Sequence, residues 1–264
     1  WLMFAQHCQR NDNIKARIAA RMKNRRAVAA LNTWKDSIQY LNQLKLMATQ
    51  MRSNQDLEIK LFSSIRSIEL SMKLRQGAFD EACQIATKVI KGLQVYGSKV
   101  TATRRLFLEF KIAIAFLGVG EYKAALFWTN KILNDQELEN NEDLAGFTQL
   151  IDLLIHIELN HNHLLPYSLK STQRYFKIRD RMYSFERVFL KFIGRLVKCN
   201  DHFNSMVLWE GLCQELSTIT NEDVFESVAL EYFDFQSWAE SKLKGKTFSS
   251  VVREKYKMRM RAAS

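Results

Sequence analysis

Proline and glycine are scarce in this chain, whose 264 residues include one proline and nine glycines. Long Pro/Gly-rich linkers are thereby excluded. No apolar run reaches about 18 residues, so the sequence predicts no membrane-spanning helix. Hydrophobic residues still make up 47% of the chain, enough for a core, and aromatic and long apolar residues are plentiful. We therefore expect an all-α protein, either one large domain or one repeat array.

Cysteine is also sparse, and no two cysteines form a CxxC pair. Cys8, Cys83, Cys199 and Cys213 are scattered, so we expect free thiols in a reducing compartment, the cytoplasm. Gly-x-Ser-x-Gly, phosphate-loop and dinucleotide-binding motifs are absent. We expect no enzyme and no cofactor. Because the chain begins at Trp1 rather than methionine, we expect a fragment, a processed form or the ordered part of a longer protein.

Three candidate reactive groups have simpler interpretations. His161 and His163 are the closest histidine pair, but they fall in a predicted turn without cysteine or carboxylate at ligand spacing, so we expect no metal site. The acid-rich segment 137–143 reads as a solvated loop. Cys83 and Cys213 lie on apolar helix faces, where cysteine behaves as a small hydrophobic residue.

A helical hairpin is predicted over residues 107–133. An apolar helix runs to Leu117, where Gly118 and Gly120 permit the positive φ that a helix end and a tight turn often need. A second helix begins at Glu121, and its apolar residues recur every three or four positions on one face.

Seven residues of this hairpin match one known pattern: Ile112, Ala113, Phe116, Gly120, Tyr122, Ala125 and Ile132. On these residues the hairpin resembles the tetratricopeptide (TPR) repeat, a two-helix unit. Asn134-Asp135 stands where that repeat usually has a proline. Residues 107–260 are similar to the C-terminal arrays of uncharacterised bacterial TPR-like proteins, which supplies no known activity. The resemblance implies a right-handed α-solenoid of TPR-like hairpins.

The turn recurs about every forty residues, which indicates a repeat. Gly77 precedes Gly120 by 43 residues, and the turns at Asn160 and Asn200 follow at intervals of about 40 residues. Asparagine tolerates positive φ better than most residues. Ser98 is predicted to cap the first helix of the second hairpin. The other hairpins pair Leu57–Met72 with Phe79–Ile90, Leu144–Leu159 with Leu164–Phe176, and Met182–Val197 with Phe203–Leu216.

Different helices are predicted at the two ends. Before the repeats, an amphipathic helix runs from Trp34 to Met51 after another basic helix. After them, one long helix is predicted from Val224 to Leu243, ended by Gly245, and Thr247 caps a last helix. The predicted organisation is 1–54, an N-terminal basic helical pair; 55–217, four hairpins; and 218–264, C-terminal capping helices with a basic tail.

Positive charge is concentrated at both ends. Residues 1–60 carry 11 Lys/Arg against 4 Asp/Glu and residues 241–264 carry 8 against 1, whereas residues 61–240 carry 20 against 23. Such density favours polyanions such as RNA or DNA, although solvated helices also carry basic faces. The candidate phosphate contacts are Arg17, Arg21, Lys23, Arg25, Arg26, Lys255, Lys257 and Arg259.

The leading functional hypothesis is a non-catalytic scaffold for protein–protein interaction. It would bind a peptide or helix in a concave groove, or dock within a larger assembly. By position in the TPR repeat, Phe107, Phe110, Ile114 and Leu117 would line that groove, unless longer helices bury them. The alternative is a polyanion-binding module that uses the basic ends.

Overall fold

Helices make up all the regular secondary structure in the part of the chain that the structure describes. The structure, a computed structural model, describes residues 34–50, 55–178, 182–199, 202–222 and 232–262. No β-strand occurs in those ranges, which confirms the all-α fold class. The α-helices are α1 Trp34–Gln50, α2 Gln55–Gln76, α3 Phe79–Tyr96, α4 Ala102–Gly118, α5 Tyr122–Leu133, α6 Glu142–Glu158, α7 Leu165–Ile178, α8 Ser184–Leu196, α9 His202–Glu222, α10 Phe235–Lys244 and α11 Phe248–Ala262, with 3₁₀ turns at Gly97–Lys99 and Gln136–Asn140.

The predicted turns at Gly77, Gly120 and Asn160 are confirmed, and they share one hydrogen-bonding pattern. Their φ angles are 68°, 85° and 53°. This left-handed ending satisfies carbonyl groups that a helix leaves unpaired at its C-terminus. The turn at Asn200 lies outside the described residues. In each described turn the next N–H donates to the carbonyl five residues earlier, at 2.9 to 3.0 Å: Ala78 to Lys73, Glu121 to Phe116, and His161 to His156.

Successive hairpins pack against one another. The hairpins α2–α3, α4–α5, α6–α7 and α8–α9 follow in chain order; α4 packs on α2 and α3, and α6 packs on α5. Ala82, Ala113 and Ala125 have no exposed surface, so small side chains stand where these helices meet. Neighbouring hairpins therefore bury each other's apolar faces. Helix α1 packs on α2 through Leu41 and Leu44.

Two predicted helix boundaries are wrong for identifiable reasons. The helical run expected from Val224 to Leu243 is interrupted before Phe235, because the Asp234 side chain caps α10 by accepting the N–H of Ser237 at 2.8 Å. Ser98 does not cap α4, because it lies in a 3₁₀ turn and Thr101 stands at the cap position.

The end of α10 and the start of α11 follow the prediction. Gly245 ends α10 with a φ of 60°. The Thr247 hydroxyl accepts the N–H of Ser250 at 3.2 Å and so caps α11.

Candidate interaction surfaces

The four residues predicted to line a concave groove lie on α4, in the main core, and two of them pack against Tyr232 of the C-terminal segment. Phe110, Ile114 and Leu117 are only 2 to 4% exposed, and Phe107 is partly buried against the main core. The ring of Tyr232 lies 6.4 Å from Phe107 and 6.1 Å from Phe110, centroid to centroid. In this structure these side chains belong to the core and not to an open surface.

Aromatic side chains of residues 232–262 fill the space beside the hairpins. Tyr232 stacks on Phe147 of α6 with ring centroids 4.0 Å apart, and Phe235 lies 4.8 Å from Phe185 of α8. Phe235 and Trp238 are at most 1% exposed. Burial this complete makes the C-terminal segment an integral part of the core.

One buried carboxylate holds α10 in place. Glu158, at the end of α6, accepts a hydrogen bond from the Trp238 indole and another from Lys242, both at 2.6 Å. Burial, followed by the nearby charge of Glu158, raises the pKa of Tyr122 on α5 to about 12. Glu158 therefore connects α6 to α10, beside α5.

The last helix docks on the turn of the first hairpin. The Gly77 carbonyl accepts hydrogen bonds from the Ser249 hydroxyl at 3.0 Å and from Arg253 at 3.2 Å. The rings of Phe248 and Phe79 lie 5.2 Å apart. A Cβ added to Gly77 would lie 2.9 Å from backbone atoms of Ser249 and Arg253. This close approach requires glycine.

The predicted phosphate contacts are only partly placed by the structure. Arg17, Arg21, Lys23, Arg25 and Arg26 lie outside the described residues. Their role as phosphate contacts stays a prediction.

Several cations near the C-terminus are engaged within the chain. Lys255 donates to Glu240 at 2.5 Å, and Lys244 donates to the same carboxylate at 2.8 Å. Burial would raise the pKa of Glu240, but these two hydrogen bonds outweigh it and hold the pKa below its usual range. Lys257 is exposed on α11, and Arg259 belongs to α11 with a side chain outside the described set.

Two of the described thiols, Cys83 and Cys213, are not activated. Neither these two nor Cys199 form a disulfide, and Cys8 lies outside the described residues. Burial, followed by nearby acidic groups, raises the pKa of both Cys83 and Cys213 to about 11. These two side chains stay protonated near neutral pH and are poor nucleophiles.

A polar chain crosses from α5 to the turn after α6. Thr129 donates to Asp152 at 3.1 Å, His156 lies 3.5 Å from Asp152, and the Nδ1 atoms of His156 and His161 are 3.0 Å apart. Within the described ranges, no group of three or more His, Cys, Asp or Glu residues could hold a metal ion. These polar side chains connect α5 and α6 to the turn that follows α6.

A line of exposed apolar side chains on the second helices of three successive hairpins was not predicted. Phe127 on α5, Tyr167 on α7 and Val207 on α9 are 62%, 75% and 53% exposed. They are spaced forty residues apart, so the repeat period of the sequence could have identified them. We call these three residues the outer apolar line.

A row of cations on α8 was also missed. Arg187, Lys191, Arg195 and Lys198 are all exposed and follow at steps of four, four and three residues. We call these four residues the α8 row. The charge count over residues 61–240 concealed it, because acidic residues elsewhere in that window cancel it.

Among the described helices, none is both long enough and apolar enough to cross a membrane. No family model, curated protein or solved structure matches this chain.

Proposed function

We propose that the protein is a right-handed α-solenoid of TPR-like hairpins that acts as a non-catalytic scaffold in the cytoplasm. It docks a protein partner of a larger assembly along the outer apolar line. Its resemblance to bacterial TPR-like proteins and its free thiols support the architecture and the compartment. The observation that carries the docking site is the recurrence of Phe127, Tyr167 and Val207 at one position of three successive hairpins.

The register of the line supports a shared face. Phe127 follows Gly120 by seven residues, and Tyr167 follows Asn160 by seven; both turn residues have the same left-handed backbone. Equivalent positions of hairpins that stack alike face the same way. In the first hairpin the equivalent position is Gln84, which is exposed and polar, so the apolar line ends there.

The chemistry of the line suits a protein partner. Single exposed apolar residues are common on protein surfaces, but these three residues recur at equivalent positions of successive hairpins and are not randomly distributed. Aromatic side chains are enriched in the residues that dominate binding energy at protein interfaces. An apolar helix or extended segment of a partner would cover Phe127, Tyr167 and Val207 together.

The concave alternative has less support in this conformation. Tyr232 and Phe235 already occupy the space beside α4, α6 and α8. A partner in that position would have to displace Phe235, which has no exposed surface, and the partly buried Tyr232, at a cost of several kcal/mol.

The test compares two triple variants of the full chain. F127S/Y167S/V207S removes the line, whereas V95S/L164S/I178S removes three other side chains that are 79%, 52% and 70% exposed. Each protein serves as bait in quantitative affinity purification from cells that express the natural protein. We expect partners retained by the wild type and by the second variant to be lost from the first.

Two results would contradict the proposal: equal loss of partners from both variants, or a wild-type bait with no reproducible partner. Circular dichroism of both variants checks that all six exposed substitutions leave the helix content unchanged.

A further inference from the structure

We infer that the α8 row binds the phosphate backbone of a nucleic acid, independently of the proposed protein-docking line. Steps of four, four and three residues put these side chains on one side of a helix. Val197 keeps helical dihedral angles, so Lys198 continues the row just beyond the end of α8. Arg187 to Lys198 spans about 16 Å along the axis.

The row is not neutralised inside the protein. None of its side chains has an ion-pair or hydrogen-bond partner within the described part of the chain. The only acidic residue of α8, Glu186, is buried and accepts the N–H of Tyr183 at 2.8 Å. Glu210 and Glu215 of the adjacent α9 are exposed and form no ion pair with the row.

Helix stability does not account for the row. Like charges four residues apart destabilise a helix, and a cation near a helix N-terminus, such as Arg187, opposes the helix dipole. Only Arg195 and Lys198 lie at the end that favours cations. Some exposed lysines elsewhere on this protein are paired, as in Lys60 with Asp56 and Lys246 with Glu254.

A second cationic row lies on the helix that packs beside α8. Lys170, Arg174 and Lys177 of α7 are exposed at steps of four and three residues. The two helices meet where a Cβ on Gly194 would lie 3.8 Å from Leu169 Cδ2. Residues 165–199 hold nine Lys/Arg against two Asp/Glu. This is the densest positive charge in the interior of the sequence.

The row favours phosphate over a protein or a membrane. The exposed positions of α8 and its following turn are Ser184 and the row itself, and its apolar residues, including Phe185 and Phe189, are buried in the core. A protein interface needs apolar or aromatic anchors at its centre, and a membrane-surface helix needs an apolar face to insert. A nucleic-acid backbone needs only regularly placed cations.

The test measures binding of a fluorescein-labelled 20-nucleotide strand, and of its duplex, to the full chain by fluorescence anisotropy. Four phosphate contacts predict a slope of log K against log salt of about −3.6 for duplex and about −2.8 for single strand. Affinity should therefore fall by about 50- to 150-fold between 50 and 200 mM KCl.

The matched variants each remove three exposed, unpaired cations. R187Q/K191Q/R195Q should make the slope shallower by about 2 to 3. K88Q/K91Q/K123Q, on α3 and α5, should retain the wild-type slope and affinity. The α8 variant should melt at or above the wild-type temperature, because it relieves repulsion between like charges.

Four results would overturn the assignment: no binding by the wild type, affinity that does not change with salt, equal loss in both variants, or displacement by polyglutamate as effective as displacement by unlabelled oligonucleotide at equal charge. The last result would identify an acidic protein as the ligand. Retention of the apolar-line partners by the α8 variant would show that the two sites are separate.

Discussion

Alanine at Gly77 tests the contact between the first hairpin and the last helix, and Gly120 provides the control. The φ angles are 68° and 85°, so alanine at either position must adopt a left-handed conformation that costs about 1 to 2 kcal/mol. A Cβ on Gly120 meets nothing within 4 Å, but on Gly77 it lies 2.9 Å from the Ser249 oxygen and the Arg253 nitrogen. Because both are backbone atoms of α11, a rotamer change cannot relieve the overlap.

We expect G120A to lower the free energy of unfolding by about 1 to 2 kcal/mol. G77A should add an overpacking cost of about 1 to 3 kcal/mol, because α11 must move away and its bonds to the Gly77 carbonyl lengthen. Urea denaturation followed by circular dichroism measures both values. Limited trypsin digestion adds a local measurement, since cleavage at Lys257 should accelerate in G77A and not in G120A.

The two variants can also refute the placement of α11. If they were destabilised equally, within about 0.5 kcal/mol, and cleaved at equal rates, α11 would not be packed on this turn in solution. A larger loss in G120A would contradict the same placement.

Two further substitutions test the interior. Ala125→Glu buries a charge at a position with no exposed surface and should lower the free energy of unfolding by several kcal/mol. The control, Ala124→Glu at the partly exposed neighbouring position, should lower it little. Equal melting temperatures of the two variants would be evidence against the helical register in which Ala125 faces the core. Lys111 donates to the hydroxyl and the carbonyl of Ser67, and burial, followed by repulsion from Arg75, lowers the pKa of Lys111 from 10.5 to about 7. At Lys111 the unfolded chain therefore binds a proton that the folded one lacks between about pH 7 and 10.5, and the contribution of Lys111 to the free energy of unfolding should rise with pH across that window. Lys111→Met should be more stable than the wild type by a few kcal/mol at pH 6, with an advantage that shrinks towards pH 10; parallel urea midpoints from pH 6 to 10 would refute this.

The turns could be predicted because local chemistry decides them. A residue with positive φ at the end of an apolar helix favours glycine or asparagine, and Gly77, Gly120 and Asn160 each have that conformation. The interruption before Phe235 was missed because Phe235 and Trp238 continue the helical spacing of Val224 and Val228. A single side chain, Asp234, sets that boundary by capping the following helix.

Contacts between distant parts of the chain could not be predicted in this way. Nothing in the local pattern shows that Tyr232 packs on Phe147, or that Ser249 approaches Gly77 across 172 positions. The residues expected in an open groove therefore proved to be covered. The α8 row had a local signal, its helical spacing, but counting charge over a long window averaged it away.

The α4 residues expected to line a groove are buried in the core, so the exposed side chains that suit binding lie on other helices. The C-terminal unit contacts the last hairpin through α10 and the first hairpin through α11, so opening the stack would break contacts at both. The exposed surfaces of α5, α7, α8 and α9 therefore belong to helices whose positions are stabilised by these buried contacts. A surface stabilised in this way loses little conformational freedom when it binds, which favours binding at the exterior by side chains that the fold itself does not need.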